Sequence, residues 1–293
     1  MTKNKETYTP AYFNALREQF EELPLLNRGE SKEIRIIDDN SVMIRLIPSL
    51  YSYTKNRCAM ISGTDKLRLE ATRILWSVLQ ENGVKTSVIY VGHDYYVSQR
   101  ISHFGADYIP PIEVIVKACH VGTPKHSLYN IGKFQTRQGR YFKDNQPHPP
   151  YVRFDYTNPL TDDKGNRLED KCLSDDMAEC FIDTRKAKAT ALAAFSILYK
   201  HLSARGIRLD DICFKIDASG EVIFGEISQD CMRAVKVEQN SNSETDSDLS
   251  KDTFRKGASD EEVLSKYKSF NEIISQEATK EELEPMSYEC ESV

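Results

Sequence analysis

Apolar positions along this chain follow two rhythms. Over residues 66–82, Ala71, Ile74, Leu75, Val78 and Leu79 share one face at the spacing of an amphipathic helix, and Gly83 follows at the capping position. A longer helix is predicted from Asp175-Asp176, whose charges suit a helix N-terminus, to Arg205, with Ala191, Leu192, Phe195, Leu198, Tyr199 and Leu202 on one side and Gly206 at its end. Shorter helices are predicted at residues 11–22 and 261–275, the second carrying Val263, Leu264, Tyr267 and Ile274.

The strand rhythm appears at residues 34–37 and 41–47, joined through the turn signal Asp38-Asp39-Asn40. It recurs at 86–91, at 112–117, where Ile112, Val114 and Val116 alternate with Glu113, Ile115 and Lys117, and at 151–156. Residues 212–217 and 221–227 read as two strands across Ala218-Ser219-Gly220. Residues 48–65 show neither rhythm. Residues 129–150, rich in Lys, Arg, Gln and Gly, fit a mobile segment or a pair of irregular strands. Residues 238–253 hold a single apolar side chain, Leu249, and are predicted to be a flexible loop. The tail beyond Gln276 reads as disordered.

Composition narrows the field. The 293 residues suit one large domain or two lobes, and 40% hydrophobic residues suffice for a sizeable core. A net charge of −6 argues against a nucleic-acid binder while leaving room for a local basic pocket. The seven cysteines include no C-x-x-C pair and are odd in number, so they read as reduced thiols of a cytoplasmic protein. The opening MTKNKETYTP lacks the apolar core of a secretory leader, and no run is long enough to span a membrane.

Candidate chemistry concentrates in residues 212–233. Pairing the two strands brings Lys215, Asp217 and Glu226 together, and two carboxylates beside an ammonium suit a magnesium–phosphate site. The same pattern fits a plain hairpin with solvated charges. Gly29 leads a polar loop with Lys32 that can approach phosphates through backbone N–H groups, or can simply make a turn. Lys117 leaves its strand towards Gly122 and Thr123, an arrangement that suits a phosphate or a solvated loop.

In order and spacing, these pieces resemble the phosphoribosylaminoimidazole-succinocarboxamide synthases (SAICAR synthetases), from about Leu25 to Ser275. The similarity rests on the glycine–lysine loop at residues 28–34, on IEVIVKACHVGT at 112–123 and on FKID at 214–217. It rests also on GEISQDCMR at 225–233 and on KDTFR at 251–255. Within these motifs the chain has Glu30 for a lysine, Lys117 for an arginine, Cys213 for an aspartate, Asp217 for a glutamate, Gly225 for an acid and Gln229 for a proline.

The resemblance implies an α+β, two-lobed fold. Residues 1–111 would form a β-rich, kinase-like nucleotide lobe and residues 112–276 a larger lobe for substrate and metal, with 277–293 as tail. It implies an ATP-dependent ligase of purine biosynthesis that joins the imidazole carboxylate CAIR to L-aspartate through an acyl phosphate. ATP and Mg²⁺ would be cofactors; a phosphorylated imidazole carboxylate and an amino acid would be partners, with no nucleic acid or membrane. Gly29, Lys32, Lys215 and Glu226 would serve the nucleotide, and Asp217 and Glu226 the metal. Lys117, Thr123, Ser228, Asp230 and Arg233 would serve the phosphorylated substrate, with Lys215, Asp217 and Arg233 as catalytic groups. A diverged ligase for another carboxylate and amine, or a non-catalytic nucleotide or phosphoribosyl binder, would use the same fold.

Overall fold

The computed structural model describes residues 8–52, 57–101, 108–122, 128, 137, 139, 143–165, 168–237 and 248–278. Helix α1 (Pro10–Glu18) starts with the Thr9 hydroxyl accepting from Tyr12 N, and a single 3-10 turn at Phe20–Glu22 completes the helical stretch predicted there. Strands β1 (Leu25–Arg28), β2 (Lys32–Asp38) and β3 (Ser41–Leu46) follow. Asp38 makes the β2–β3 turn by accepting from Asn40 N at 2.9 Å and from the Ser41 hydroxyl at 3.0 Å. The unassigned residues 48–65 hold a small hairpin, β4 (Ser49–Ser52) with β5 (Arg57–Met60), before α2 (Thr64–Glu81). Strands β6 (Val88–Val91) and β7 (Tyr96–Gln99) close a five-stranded antiparallel sheet in the order β1-β2-β3-β7-β6.

The chain then crosses to a second sheet. Its strands are β8 (Ile112–Cys119), β9 (Pro147–Tyr156), β10 (Lys171–Leu173), β11 (Ile207–Ile216), β12 (Ile223–Phe224) and β13 (Met232–Lys236). The order is β10-β9-β8-β11-β12, with β13 also paired to β11. Strand β9 is longer than predicted because Pro147, Pro149 and Pro150 lie where β10 does not reach, and an edge tolerates a missing N–H. The long helix predicted at 175–205 is two: α3 (Asp175–Ala178), capped by Ser174, and α4 (Thr184–Ser203), capped by Asp183 accepting from Lys186 N at 2.9 Å. Ahead of β13 lies a single 3-10 turn at Gln229–Cys231.

After β13, Leu249 is 2% exposed and locks Asp248–Ser250 into the core, so the flexible loop expected at 238–253 does not include these residues; residues 238–247 lie outside the described residues. Two helices finish the described chain, α5 (Asp252–Arg255) and α6 (Asp260–Ile274), the latter opened by a Ser259–Glu262 capping box. The expected tail falls outside the described residues beyond 278.

Period-two alternation on β8 and β11 positions the site. Ile112, Val114 and Val116 on β8, with Ile212, Phe214 and Ile216 on β11, are buried against α4. The opposite face therefore presents Glu113, Ile115 and Lys117 beside Asp211, Cys213 and Lys215 to a cleft. One apolar core runs through both halves, from Val42 and Ile44 through Leu75 and Trp76 to Phe195 and Ile212. Helix α6 lies on α2, where Asn271 donates to Leu67 O at 2.9 Å and Glu70 Oε2 at 2.7 Å. Asn271 also accepts from Gln229 Nε2 at 2.7 Å.

Candidate active site

The cleft encloses about 670 Å³ between the two sheets. Nine lysines and arginines line it against six aspartates and glutamates. The wall is thus net cationic in a chain of net charge −6, which favours an anionic ligand.

Three charged groups organise the wall. The first sits across three neighbouring strands, because Asp211 on β11 faces Lys117 on β8 and Arg233 on β13 in register. Asp211 Oδ2 accepts from Lys117 Nζ at 2.8 Å and from Arg233 Nη1 at 2.6 Å. Arg233 Nε also donates to Asp252 at 2.8 Å, and Asp252 in turn holds Arg255. Burial works against the Asp211 charge, yet Arg233 and Lys117 hold its carboxyl well below the usual carboxylate range.

The second group centres on Lys215, 3.3 Å from Glu113 and 3.2 Å from the Thr157 hydroxyl. Burial opposes both charges, but pairing leaves Glu113 below and Lys215 above their ordinary values. Cys213 lies beside this pair, and burial pushes its thiol well up. The Cys231 thiol is pushed up to about 12 by the same cause. Neither is a thiolate nucleophile at neutral pH.

The third group lies under the glycine loop. Arg68 of α2, 1% exposed, donates to Glu226 through Nε at 2.9 Å and Nη2 at 2.5 Å, and to Ile47 O at 3.0 Å. Asp230 is 3.8 Å from Arg68 Nε and 3.1 Å from Lys251, and accepts the Tyr267 hydroxyl. Burial disfavours the Glu226 charge, but Arg68 and then Lys32 hold the carboxyl below its ordinary value. Two hydroxyls on the cleft wall, Tyr96 and Ser52, are buried without a hydrogen-bond partner among the described residues.

The structure brings Gly29, Lys32, Lys117, Lys215, Glu226, Asp230 and Arg233 to one cleft. The Gly29–Lys32 loop closes through Gly29 N donating to Lys32 O at 3.0 Å and is tied to β4 by the Ser49 hydroxyl on Glu30 O. Thr123 lies outside the described residues.

Two expected site residues are placed differently. Ser228 is fully buried off the wall, donating to Glu226 at 2.6 Å and capping the 3-10 turn at Asp230 N, so it supports the site and does not line it. Asp217 is also off the wall. Its carboxylate accepts from the Ser219 hydroxyl at 2.8 Å and from the N–H groups of Glu221 and Val222 at 3.2 and 2.9 Å. The turn it holds packs on the start of α4 so closely that a Cβ on Gly220, φ +75°, would lie 2.6 Å from Asp183 O.

The cause is local. An aspartate two residues before a turn serine satisfies the backbone first, and β12 stops at Phe224 because Gly225 turns the chain at φ +84°. The metal pair expected at Asp217 and Glu226 is therefore not assembled. Asp217→Asn keeps a turn-capping oxygen, and nucleotide affinity is expected to stay within about threefold of wild type by calorimetry. A loss of about tenfold or more would return Asp217 to the nucleotide site.

Sequence reasoning did not single out Arg68, Glu113 or Asp211, and it marked Lys251, Asp252 and Arg255 only as part of the KDTFR motif, without a role. Arg68 had a signal: it stands on the buried stripe of α2 with Thr72, Leu75 and Leu79, where a charge demands a partner.

The described features match known proteins over nearly their whole extent. The family model for SAICAR synthetase matches residues 25–271. The chain belongs to the SAICAR synthetase family. Membership makes it an ATP-dependent ligase that forms a carbon–nitrogen bond. The phosphoribosylaminoimidazole-succinocarboxamide synthase of Methanocaldococcus jannaschii is 31% identical over 263 residues, covering 86% of this chain and 95% of that protein. The Bifunctional cordycepin biosynthesis cluster protein 3 of Cordyceps militaris is 25% identical over 84% of this chain, which spans 32% of that protein's length. A solved SAICAR synthetase (Type-2) in complex with ADP superimposes with a TM-score of 0.67 at 23% identity, covering 88% of this chain and all of that one, and so shares the α+β fold.

Proposed function

We propose that this protein condenses the phosphorylated imidazole carboxylate CAIR with L-aspartate at the expense of ATP. The observation that carries the reading is the division of the cleft into two cationic groups on one strand face. Lys215 lies four residues along β11 from Asp211, about 13 Å at strand rise, with Lys32 near the former and Lys117 and Arg233 on the latter. Two phosphorylated ligands can then lie end to end, the nucleotide at Lys32 and Lys215 beside the glycine loop, the ribose phosphate at Arg233 and Lys117. The ADP held by the fold relative supports the nucleotide half.

A carboxylate is a poor electrophile. The carboxylate oxygen attacks the γ-phosphorus of ATP and ADP leaves, giving an acyl phosphate; the amine then attacks the carbonyl carbon, phosphate leaves, the nitrogen releases a proton, and an amide remains. Charge builds up on the transferring phosphoryl group, and fixed ammonium and guanidinium groups stabilise it while holding the reactants in line. Asp211, buried and ionised, orients Lys117 and Arg233 and does not itself meet the phosphate.

A second reading keeps the chemistry and changes the carboxylate or the amine. It is favoured by the relative named for a cordycepin biosynthesis cluster, and by Lys117, which stands in place of the arginine of the pattern this chain resembles and lacks its fork. Phosphate release measured with ATP, CAIR and a panel of amines separates the two. Turnover confined to CAIR with aspartate is the expected result. Turnover with another pair only would transfer the assignment to the second reading, and none with any pair would leave a nucleotide-binding protein.

A further inference from the structure

Magnesium is the ion the family implies, and the donor set at the nucleotide end does not fit it. No cluster of three or more His, Cys, Asp or Glu side chains suited to a metal occurs among the described residues. Mg²⁺ is ordinarily held by one or two carboxylates together with phosphate oxygens. Here Glu226 is neutralised by Arg68 and Glu113 by Lys215, Asp170 accepts from Asn158 N at 2.9 Å and lies in the field of Lys215, and Asp217 is spent on its turn.

Gly225 decides what takes that place. A Cβ at this position would lie 3.9 Å from Lys32 Nζ and 3.8 Å from Lys215 Cβ. An aspartate or glutamate at 225 would therefore meet Lys32 as an ion pair. With glycine there, the Lys32 ammonium makes no hydrogen bond or ion pair among the described residues; it stands on the cleft wall with only its longer-range field on Glu226. A divalent cation beside it would be repelled, whereas a polyphosphate would be attracted.

We propose that the nucleotide polyphosphate is bound in this cleft by the ammonium groups of Lys32 and Lys215, with no divalent cation held by the protein. The inference rests on the nucleotide half of the proposed function. Three donors on each ammonium can bridge neighbouring phosphate oxygens, and these charge-assisted bonds supply the neutralisation that a chelated cation supplies elsewhere. Gly225 is thus a specificity position: its missing side chain leaves the charge of Lys32 to the ligand.

The test is calorimetric titration of ATP into the full chain, once with excess MgCl₂ and once with EDTA. The two dissociation constants are expected to agree within about threefold. Lys32→Met is expected to weaken binding about tenfold or more in both conditions, with Lys32→Arg restoring most of it. Gly225→Asp tolerates the left-handed backbone better than most side chains, and its carboxylate is expected to pair with Lys32 and make ATP binding depend on Mg²⁺. Wild-type affinity that falls about tenfold or more in EDTA overturns the inference and leaves the nucleotide reading intact. Unchanged binding in Lys32→Met overturns it as well. An absence of ATP binding in both conditions overturns the inference together with the nucleotide half of the proposed function.

Discussion

Replacing Arg68 by methionine is expected to lower folding stability by about 3–5 kcal/mol at pH 7, the cost of stripping one partner from a buried ion pair. The arginine neutralises Glu226, shares its field with Asp230, and donates to the carbonyl of Ile47, all within a site only 1% exposed at the arginine. Methionine fills most of the volume and none of the charge. The Glu226 carboxylate then keeps the Ser228 hydroxyl and the field of Lys32.

The loss carries a pH signature. Glu226 has a folded value below its ordinary one, so its contribution is complete above the ordinary carboxylate range and disappears as the pH falls through the folded value. The gap between wild type and Arg68→Met should thus be full at pH 7 and narrow as the carboxylates protonate. Urea unfolding at a series of pH values measures it, and a gap independent of pH would show that packing, not charge, accounts for Arg68.

The largest expected effect on activity is at Arg233. Arg233→Ala removes the guanidinium that stands between Asp211 and Asp252, leaving Lys117 alone on Asp211. Hydrogen bonds to charged groups contribute about 1.5–3 kcal/mol, so KM for the phosphorylated substrate is expected to rise about 10- to 100-fold. KM for ATP, whose proposed site lies about 13 Å along β11, is expected to change by less than about twofold. Equal effects on both would dissociate Arg233 from the substrate phosphate. Arg233→Lys keeps the charge without the fork and is expected to fall between the two.

Much of the site was legible because strands expose chemistry by parity. On 112–117 and 212–217 the apolar positions identify the core face, which leaves Lys117 and Lys215 for the other. The partners of those lysines were not legible in the same way. Asp211 reads as one acid among several until β8 and β13 are placed on either side of it, and Arg68 meets Glu226 across 158 residues of chain. Asp217 was misplaced for the opposite reason: its strongest partners are its own next few residues, and a strand pattern hides that competition. The hairpin at 49–60 escaped because its strands are four residues each, too short to show a period. Leu249 shows how one apolar residue anchors a segment that composition assigns to solvent.

The contacts of Asn271 have a mechanical consequence. Through Leu67 O, Glu70 and Gln229 this residue pins α2, α6 and the turn before β13 to one another at the back of the cleft. Opening the cleft as a whole would shear these bonds together, so the glycine-loop edge is where ligand exchange is expected to show first. That edge is the Gly29–Ser31 loop, held to β4 through Ser49 on Glu30 O. Amide hydrogen exchange should find residues 29–31 opening far more often than the α2–α6 contact, and Ser49→Ala should quicken nucleotide release while the back of the molecule keeps its protection.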